Sequence, residues 1–217
     1  MNPMNTNPDA IRILCFGDSN TKGSLPIVSD RWPANVRWTG VLQNMLGDKF
    51  EIIEEGQSAR TTDIDDPKHI GRNGLAYFLP CLESQGKLDF IVLFLGTNDL
   101  KERYHREPEE TAKSIKKYID TINTFYEINR PRIIIVCPTI VNEFTPWSKE
   151  KYVGAYEKSK KLPTLYQQIA EENNCGFVNL QDSVEPCKED GGHLDQEAHK
   201  KVAKLIYKVK GGLRETK

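Results

Sequence analysis

Three features of the amino-acid sequence predict an α/β protein: a three-layer α/β/α, flavodoxin-like fold around a five-stranded parallel sheet. From Ile11 onward, short apolar runs alternate with longer amphipathic segments, the order of strands joined by crossover helices. The run over residues 89–95 (Asp-Phe-Ile-Val-Leu-Phe-Leu) is almost continuously apolar, as a central parallel strand covered on both faces requires. The 217 residues suffice for one substantial core, and neither an internal repeat nor a linker divides them.

The elements follow in order. Residues 1–9 are polar and read as a disordered leader, which leaves residues 10–217 as a single domain. Residues 11–16 predict the first strand. Residues 37–46 predict a helix with Trp38, Val41, Leu42 and Met45 on one stripe. Residues 50–54 form the second expected strand, and residues 75–82 a helix in which Pro80 marks a start, a kink or a break. After the central strand, residues 108–128 read as a helix, with Pro108 suited to its first turn and Glu109 and Glu110 to its positive end. Residues 132–137 give the fourth strand, ended by Pro138. A long loop over residues 139–148 then leads to a helix over residues 149–173. Residues 176–180 make a short last strand, and residues 194–209 a closing helix.

Composition excludes several partners. A net charge of −1 gives no electrostatic reason to bind nucleic acid or an anionic membrane. Lys200, Lys201, Lys204 and Lys208 recur at helical spacing and read as a solvated helix face. The five cysteines, Cys15, Cys81, Cys137, Cys175 and Cys187, form no C-x-x-C pair. Cys15 and Cys137 lie in strand runs as buried thiols, a usage that suits a reducing compartment. The first eight residues hold no apolar signal core, and no stretch approaches the roughly 18 apolar residues of a membrane span, so a cytoplasmic location is expected.

The chemistry-bearing residues sit where the expected strands end. Ser19 follows the first strand in Gly17-Asp18-Ser19-Asn20-Thr21, at the mouth of a parallel sheet's crevice. It is either a helix cap or a nucleophile, and a serine nucleophile needs an adjacent base held by a third group. Asp190-Gly191-Gly192-His193 offers both: the two glycines let the loop bend until the Asp190 carboxylate reaches the imidazole Nδ1–H and leaves Nε2 for the serine. A loop-capping role for Asp190 is the alternative, with Glu189, Asp182 and Asp195 as less favoured partners. His69, His105 and His199 have no carboxylate joined to them through such a pair of glycines. Asn98, in Gly96-Thr97-Asn98-Asp99 after the central strand, can aim an amide N–H into the crevice, or merely bond its own turn. The backbone of residues 55–62, after the second strand, can point to the same place.

Taken together, these loops resemble the GDSL or SGNH hydrolase family, and the resemblance covers nearly the whole chain from Ile11 to the final helix. The four blocks of that family map in order onto Gly17-Asp18-Ser19, residues 56–62, Gly96-Thr97-Asn98-Asp99 and Asp190-Gly191-Gly192-His193. By that resemblance Ser19 is the nucleophile, His193 the base and Asp190 its orienting carboxylate, and the Ser19 N–H, Ala59 and Asn98 supply the oxyanion donors. Many members carry glycine where this chain has Ala59, and alanine tolerates less backbone space than glycine. The stretches Ile13-Leu14-Cys15-Phe16-Gly17-Asp18-Ser19, Arg37-Trp38-Thr39-Gly40-Val41-Leu42 and Glu54-Glu55-Gly56-Gln57-Ser58-Ala59-Arg60-Thr61-Thr62 look more specifically like the bacterial arylesterase/acyltransferase branch, which has alanine there too. That branch implies a serine esterase acting on small acyl esters through an acyl-enzyme, with transfer to alcohols, and its members tend to be homo-oligomers.

Trp32 and Trp147 fall in loops near the crevice, as candidates either for walling an acyl pocket or for plain packing. No H-E-x-x-H, clustered Cys/His ligands, P-loop or G-x-G-x-x-G is present, so neither metal nor other cofactor is expected; the G-x-S-x-G elbow is absent as well. Two other readings remain at this stage. One keeps the triad but acts on carbohydrate O-acetyl groups or lysophospholipids. The other is a flavodoxin-like module whose Asp18-Ser19-Asn20-Thr21 loop cradles a phosphate or flavin.

Overall fold

A computed structural model describes residues 5–212. Five strands run in the order β2-β1-β3-β4-β5 with every pairing parallel: β1 (Ile11–Gly17), β2 (Phe50–Gly56), β3 (Phe90–Phe94), β4 (Arg132–Cys137) and β5 (Gly176–Asn179). The chain moves outward from β1 to β2 and then crosses to the other side of β1 for β3, so the sheet changes winding direction between β1 and β3. In sheets of this kind ligands bind outside the carboxyl ends of the strands at that switch.

The sheet divides two cores because side chains alternate along each strand. Leu14, Phe16, Ile91, Leu93, Ile133 and Ile135 face one side, against α3 (Gly74–Gln85), α4 (Pro108–Phe125) and α7 (Leu162–Glu172). Ile13, Cys15, Val92, Ile134 and Val136 face the other, against α2 (Trp38–Leu46) and α8 (Gln196–Gly212). All five residues of β3 are buried, which explains its unbroken apolar run. Cys15 and Cys137 are fully buried thiols, and all five cysteines are free.

Local chemistry sets the helix limits. In α4, Ala112, Ile115, Tyr118, Ile119 and Ile122 line the buried face at helical spacing. Its start is fixed by Pro108 and by the Glu107 N–H donating to Glu110 Oε2 at 2.9 Å. It stops at Phe125, short of the expected residue 128. Of the stripe expected on α2, Trp38 and Leu42 are buried but Met45 is 38% exposed, because the stripe turns outward over the last turn.

Two expectations are corrected. Pro80 neither starts nor breaks its helix: α3 runs through it, and Pro80 lies on the exposed face, where water can take the carbonyl it leaves unbonded. The single helix expected over residues 149–173 is three helices, α5 (Pro146–Lys151), α6 (Ala155–Ser159) and α7, and the preceding loop is correspondingly shorter. Thr145 caps α5 by accepting from the Ser148 N–H at 3.1 Å, Gly154 breaks the path with φ +74°, and Pro163 sits in the first turn of α7. Of the expected leader, residues 1–4 lie outside the described residues. Asn5 is pinned through Nδ2 to the Asp48 and Phe50 carbonyls at 3.2 and 3.0 Å.

Among the described residues, no helix is long and apolar enough to cross a membrane. His199 of α8 is fully buried and accepts the Trp38 N–H at Nδ1 (3.3 Å). Burial, aided by the charges of Arg37 and His193, lowers its pKa to about 4 despite the opposing Asp195. A histidine whose folded-state pKa lies below its unfolded value resists the proton only when folded, so its linkage removes stability as pH falls from about 6.5 to about 4. His199→Asn keeps an acceptor for Trp38 and has no such titration. Denaturation of both proteins across that range is expected to show the wild type losing up to about 3 kcal/mol more than the variant. Parallel curves would contradict the assignment.

Candidate active site

The carboxyl end of β1 shapes the first part of the site. A side chain at Gly17 would collide with Thr21 and, at 2.6 Å, with the Phe94 carbonyl, so only glycine lets the chain turn beside β3. Asp18 then caps the four-residue helix α1 (Ser19–Lys22): its Oδ1 accepts the Asn20 N–H at 2.9 Å and its carbonyl takes those of Thr21 and Lys22. Ser19 is thus the first helical residue, not the cap, and its Oγ lies 3.0 Å from His193 Nε2.

His193 comes from the loop between β5 and α8. Gly191, at φ +74°, packs its α-carbon against the Asn142 backbone and folds the loop over. The fully buried Asp190 gathers four donors. Its Oδ1 accepts from the backbone N–H groups of Gly192 and His193 (3.0 and 2.9 Å) and from Cys187 Sγ (3.0 Å), while Oδ2 accepts from His193 Nδ1 at 2.5 Å. Burial pushes Asp190 up, but these bonds and the imidazole's charge outweigh it and hold the carboxyl well below the ordinary range. An ionised carboxylate only accepts, so the proton of neutral His193 sits on Nδ1 and Nε2 is free to accept from the Ser19 hydroxyl.

The loops after β2 and β3 complete the crevice. Asn98 begins a short 3-10 turn (Asn98–Leu100), and its Nδ2 donates to the Arg60 carbonyl at 3.0 Å; its 3.4 Å approach to Asp18 Oδ2 is long for a hydrogen bond. Ala59 has φ +61°, the left-handed region in which alanine pays a steric cost. Among the described residues, neither the Ala59 nor the Ser19 backbone N–H has a protein acceptor. Three donors, from Ser19, Ala59 and Asn98, therefore stand at the ends of β1, β2 and β3.

Four further residues shape this site in roles that only the structure shows. Arg60 stacks its guanidinium 4.2 Å above the Phe16 ring and donates to the carbonyls of Gly17 (2.8 Å) and Glu55, clamping β1 to β2. Asp99 accepts from the Thr62 N–H (3.0 Å) and hydroxyl (2.5 Å), tying the turn after β3 to the turn after β2. Burial pushes its carboxyl up to about 7 against those bonds and the charge of Arg106. Asp18 is likewise pushed up to about 6 by burial, opposed by the Asn20 N–H and by the charges of His193, Lys101 and Arg60. Cys187 is the fourth, through its bond to Asp190.

The two candidate tryptophans both meet the His193 loop. The Trp147 ring lies 6.2 Å from the imidazole, whereas Trp32 donates from Nε1 to the Leu194 carbonyl at 3.3 Å and anchors the loop. The other histidines lie elsewhere: His69 pairs with Asp66, His105 with Glu102, and His199 is in the α2–α8 core. Among the described residues, no three His, Cys, Asp or Glu side chains are grouped to hold a metal.

With this geometry in hand, residues 13–206 match the GDSL-like lipase/acylhydrolase family. The chain belongs to that family. Similar solved structures extend over almost the whole chain. A carbohydrate acetylesterase from Sinorhizobium meliloti, Est24, is 35% identical, with a TM-score of 0.89 over 94% of this chain and 100% of its own. An aryl esterase from M. smegmatis is 32% identical, with a TM-score of 0.85 over 92% and 100%. A putative arylesterase from Agrobacterium tumefaciens is 27% identical, with a TM-score of 0.83 over 94% and 100%. Among curated proteins, none matches. This GDSL hydrolase is therefore a carboxylic ester hydrolase of SGNH type, with the five-stranded α/β fold of its neighbours.

The strained Ala59 yields a stability test. Replacing it with glycine removes a left-handed penalty of about 1–2 kcal/mol and adds about 0.4–1 kcal/mol of unfolded-chain entropy. Ala59→Gly is expected to raise the chemical denaturation midpoint by a margin equivalent to about 0.5–1 kcal/mol; a lower midpoint would refute it.

Proposed function

We propose that the protein is a serine esterase that cleaves small aryl or alkyl acyl esters through an acyl-enzyme on Ser19, passing the acyl group to water or to an alcohol. The observation that carries this reading is the relay of Ser19 Oγ, His193 Nε2 and Asp190 Oδ2, at 3.0 and 2.5 Å. Ser19 Oγ attacks the ester carbonyl while His193 Nε2 takes its proton, and ionised Asp190 steadies the imidazolium through Nδ1–H. Charge develops on the former carbonyl oxygen, where the N–H groups of Ser19 and Ala59 and the Asn98 amide are the available donors. Collapse expels the alkoxide, which takes the proton from His193. Water or a second alcohol then repeats the sequence on the acyl-enzyme.

Likeness to the M. smegmatis aryl esterase supports small aryl and alkyl esters as substrates, and the Trp147 ring beside His193 offers an apolar surface for such groups. A second reading, removal of O-acetyl groups from carbohydrate, draws support from likeness to Est24. A phosphate-cradling module would give no role to the Asp190–His193 pair that meets Ser19 Oγ.

Incubation with p-nitrophenyl acetate is expected to give a burst of nitrophenol and a mass increase of one acetyl group, both absent in Ser19→Ala of native fold. Turnover by that variant would refute the mechanism. Added alcohol should divert the acetyl group to a new ester, and a panel from acetate to palmitate, with acetylated sugars, separates the two substrate readings. Asn98→Ala is expected to lower kcat about 100- to 1000-fold; a change confined to KM would remove Asn98 from the oxyanion site.

A further inference from the structure

One charged side chain in the crevice region is left unused by this mechanism. Lys101 follows the Asn98–Leu100 turn and is only 9% exposed, yet among the described residues its ammonium has neither a hydrogen-bond partner nor a carboxylate within ion-pair distance. Its Nζ lies 5.8 Å from the Tyr152 ring centroid; the Tyr152 ring is tilted 5.8 Å from that of Trp147, which in turn lies 6.2 Å from the His193 imidazole. Lys101 therefore stands at one end of an aromatic wall whose other end is the base, and it shares an electrostatic field with Asp18, the neighbour of Ser19.

The Lys101 stem is buried while its ammonium reaches solvent, and a position that needed only bulk here would take an apolar side chain, without the cost of ordering an unpaired charge. The surrounding charge does not repay that cost. Arg103 spends its guanidinium on Asp66 at 2.5 Å and on the Tyr104 hydroxyl, while Lys151, packed 4.4 Å over the Trp147 ring, adds a second cation without a carboxylate partner among the described residues. Asp18 acts on Lys101 through its charge, but its oxygens face Asn20 and Asn98. Among the described residues, Lys101 and Lys151 are thus two cations on this side of the crevice that no carboxylate pairs directly.

We infer that Lys101 is a subsite for an anionic oxygen group, such as a carboxylate, carried by the ester that Ser19 attacks. The inference rests on the esterase reading and deepens it: the preferred ester carries a negative charge on its acyl or its alcohol part. An oxyanion arriving with the substrate satisfies the ammonium that the fold leaves open, and a charge-assisted bond of this kind improves binding about tenfold.

The test compares matched esters on wild type, Lys101→Met and Lys101→Arg, each checked for native fold. Para-acetoxybenzoate against para-acetoxybenzamide places the charge on the alcohol side. The p-nitrophenyl monoester of succinate against p-nitrophenyl butyrate places it on the acyl side. In at least one pair, the anionic-to-neutral ratio of kcat/KM should fall about tenfold in Lys101→Met, chiefly through KM, and largely persist in Lys101→Arg. A structural role for Lys101 would instead lower both members of each pair alike, and that result, or unchanged ratios in both pairs, overturns the inference. Should Lys101→Met not fold, the wild type alone decides. Burial, together with the charges of Arg103 and Lys151 and against those of Asp18 and Asp66, lowers the Lys101 pKa to about 8, so the ratio should drop as pH rises through that value, while a flat ratio overturns the proposal. Failure of the neutral esters to react in a Ser19-dependent way would refute the esterase reading itself, which keeps the two failures distinct.

Discussion

Everything that acts in this site hangs on a buried carboxylate with four donors around it. Asp190 turns a short glycine-containing loop into a rigid mount: two backbone N–H groups and a thiol fix one oxygen, and the imidazole takes the other. An ionised carboxylate is tolerable in the interior only when its oxygens are so occupied, because desolvation costs several kcal/mol otherwise. The same bonds choose the histidine tautomer. Loop geometry and proton location are therefore one constraint, imposed by one side chain.

Two further buried carboxylates repeat the device at other strand ends, under looser compensation. Asp18 caps α1 and positions Ser19, and Asp99 binds the Thr62 backbone so that the donors after β2 and β3 keep their spacing. Both carboxyls stay above their ordinary range, whereas Asp190 is held below it, and the difference follows from the number and charge of their partners. Arg60 supplies a matching positive clamp, stacked on Phe16 and bonded to carbonyls near the ends of two strands. The crevice is thus braced by polar groups, while the apolar cores on either face of the sheet set where the strand ends lie.

Much of this was legible in the sequence, for identifiable reasons. Parallel strands covered on both faces must be apolar throughout, so β3 and β4 announced themselves, and Ser19, Asn98, Asp190 and His193 fell at the ends of strands or beside glycines that constrain a loop. Asp190 and His193 are three residues apart, close enough for their pairing to be read locally. What stayed hidden depends on distance along the chain. The partners of Arg60 in β1 and of Asp99 in the β2 turn are 43 and 37 residues away, and nothing near Cys187 or Lys101 marks them as buried beside the site. The split of the α5–α7 region was not legible because Gly154 and Pro163 interrupt a stretch whose apolar spacing is otherwise helical, and Pro80 is accommodated because a proline on an exposed face costs less than one in the core.

The hydroxyl and the imidazole that meet in this crevice are 174 residues apart in sequence. Ser19 follows the first strand, and His193 precedes the last described helix, so nearly the whole domain must be made and docked before the two can touch. During synthesis the serine emerges early, without a base to activate it. On the proposed mechanism, hydrolytic power thus arrives only with the closing of the fold, and a chain interrupted or locally unfolded near its carboxyl end carries an inert alcohol instead of an unguarded enzyme.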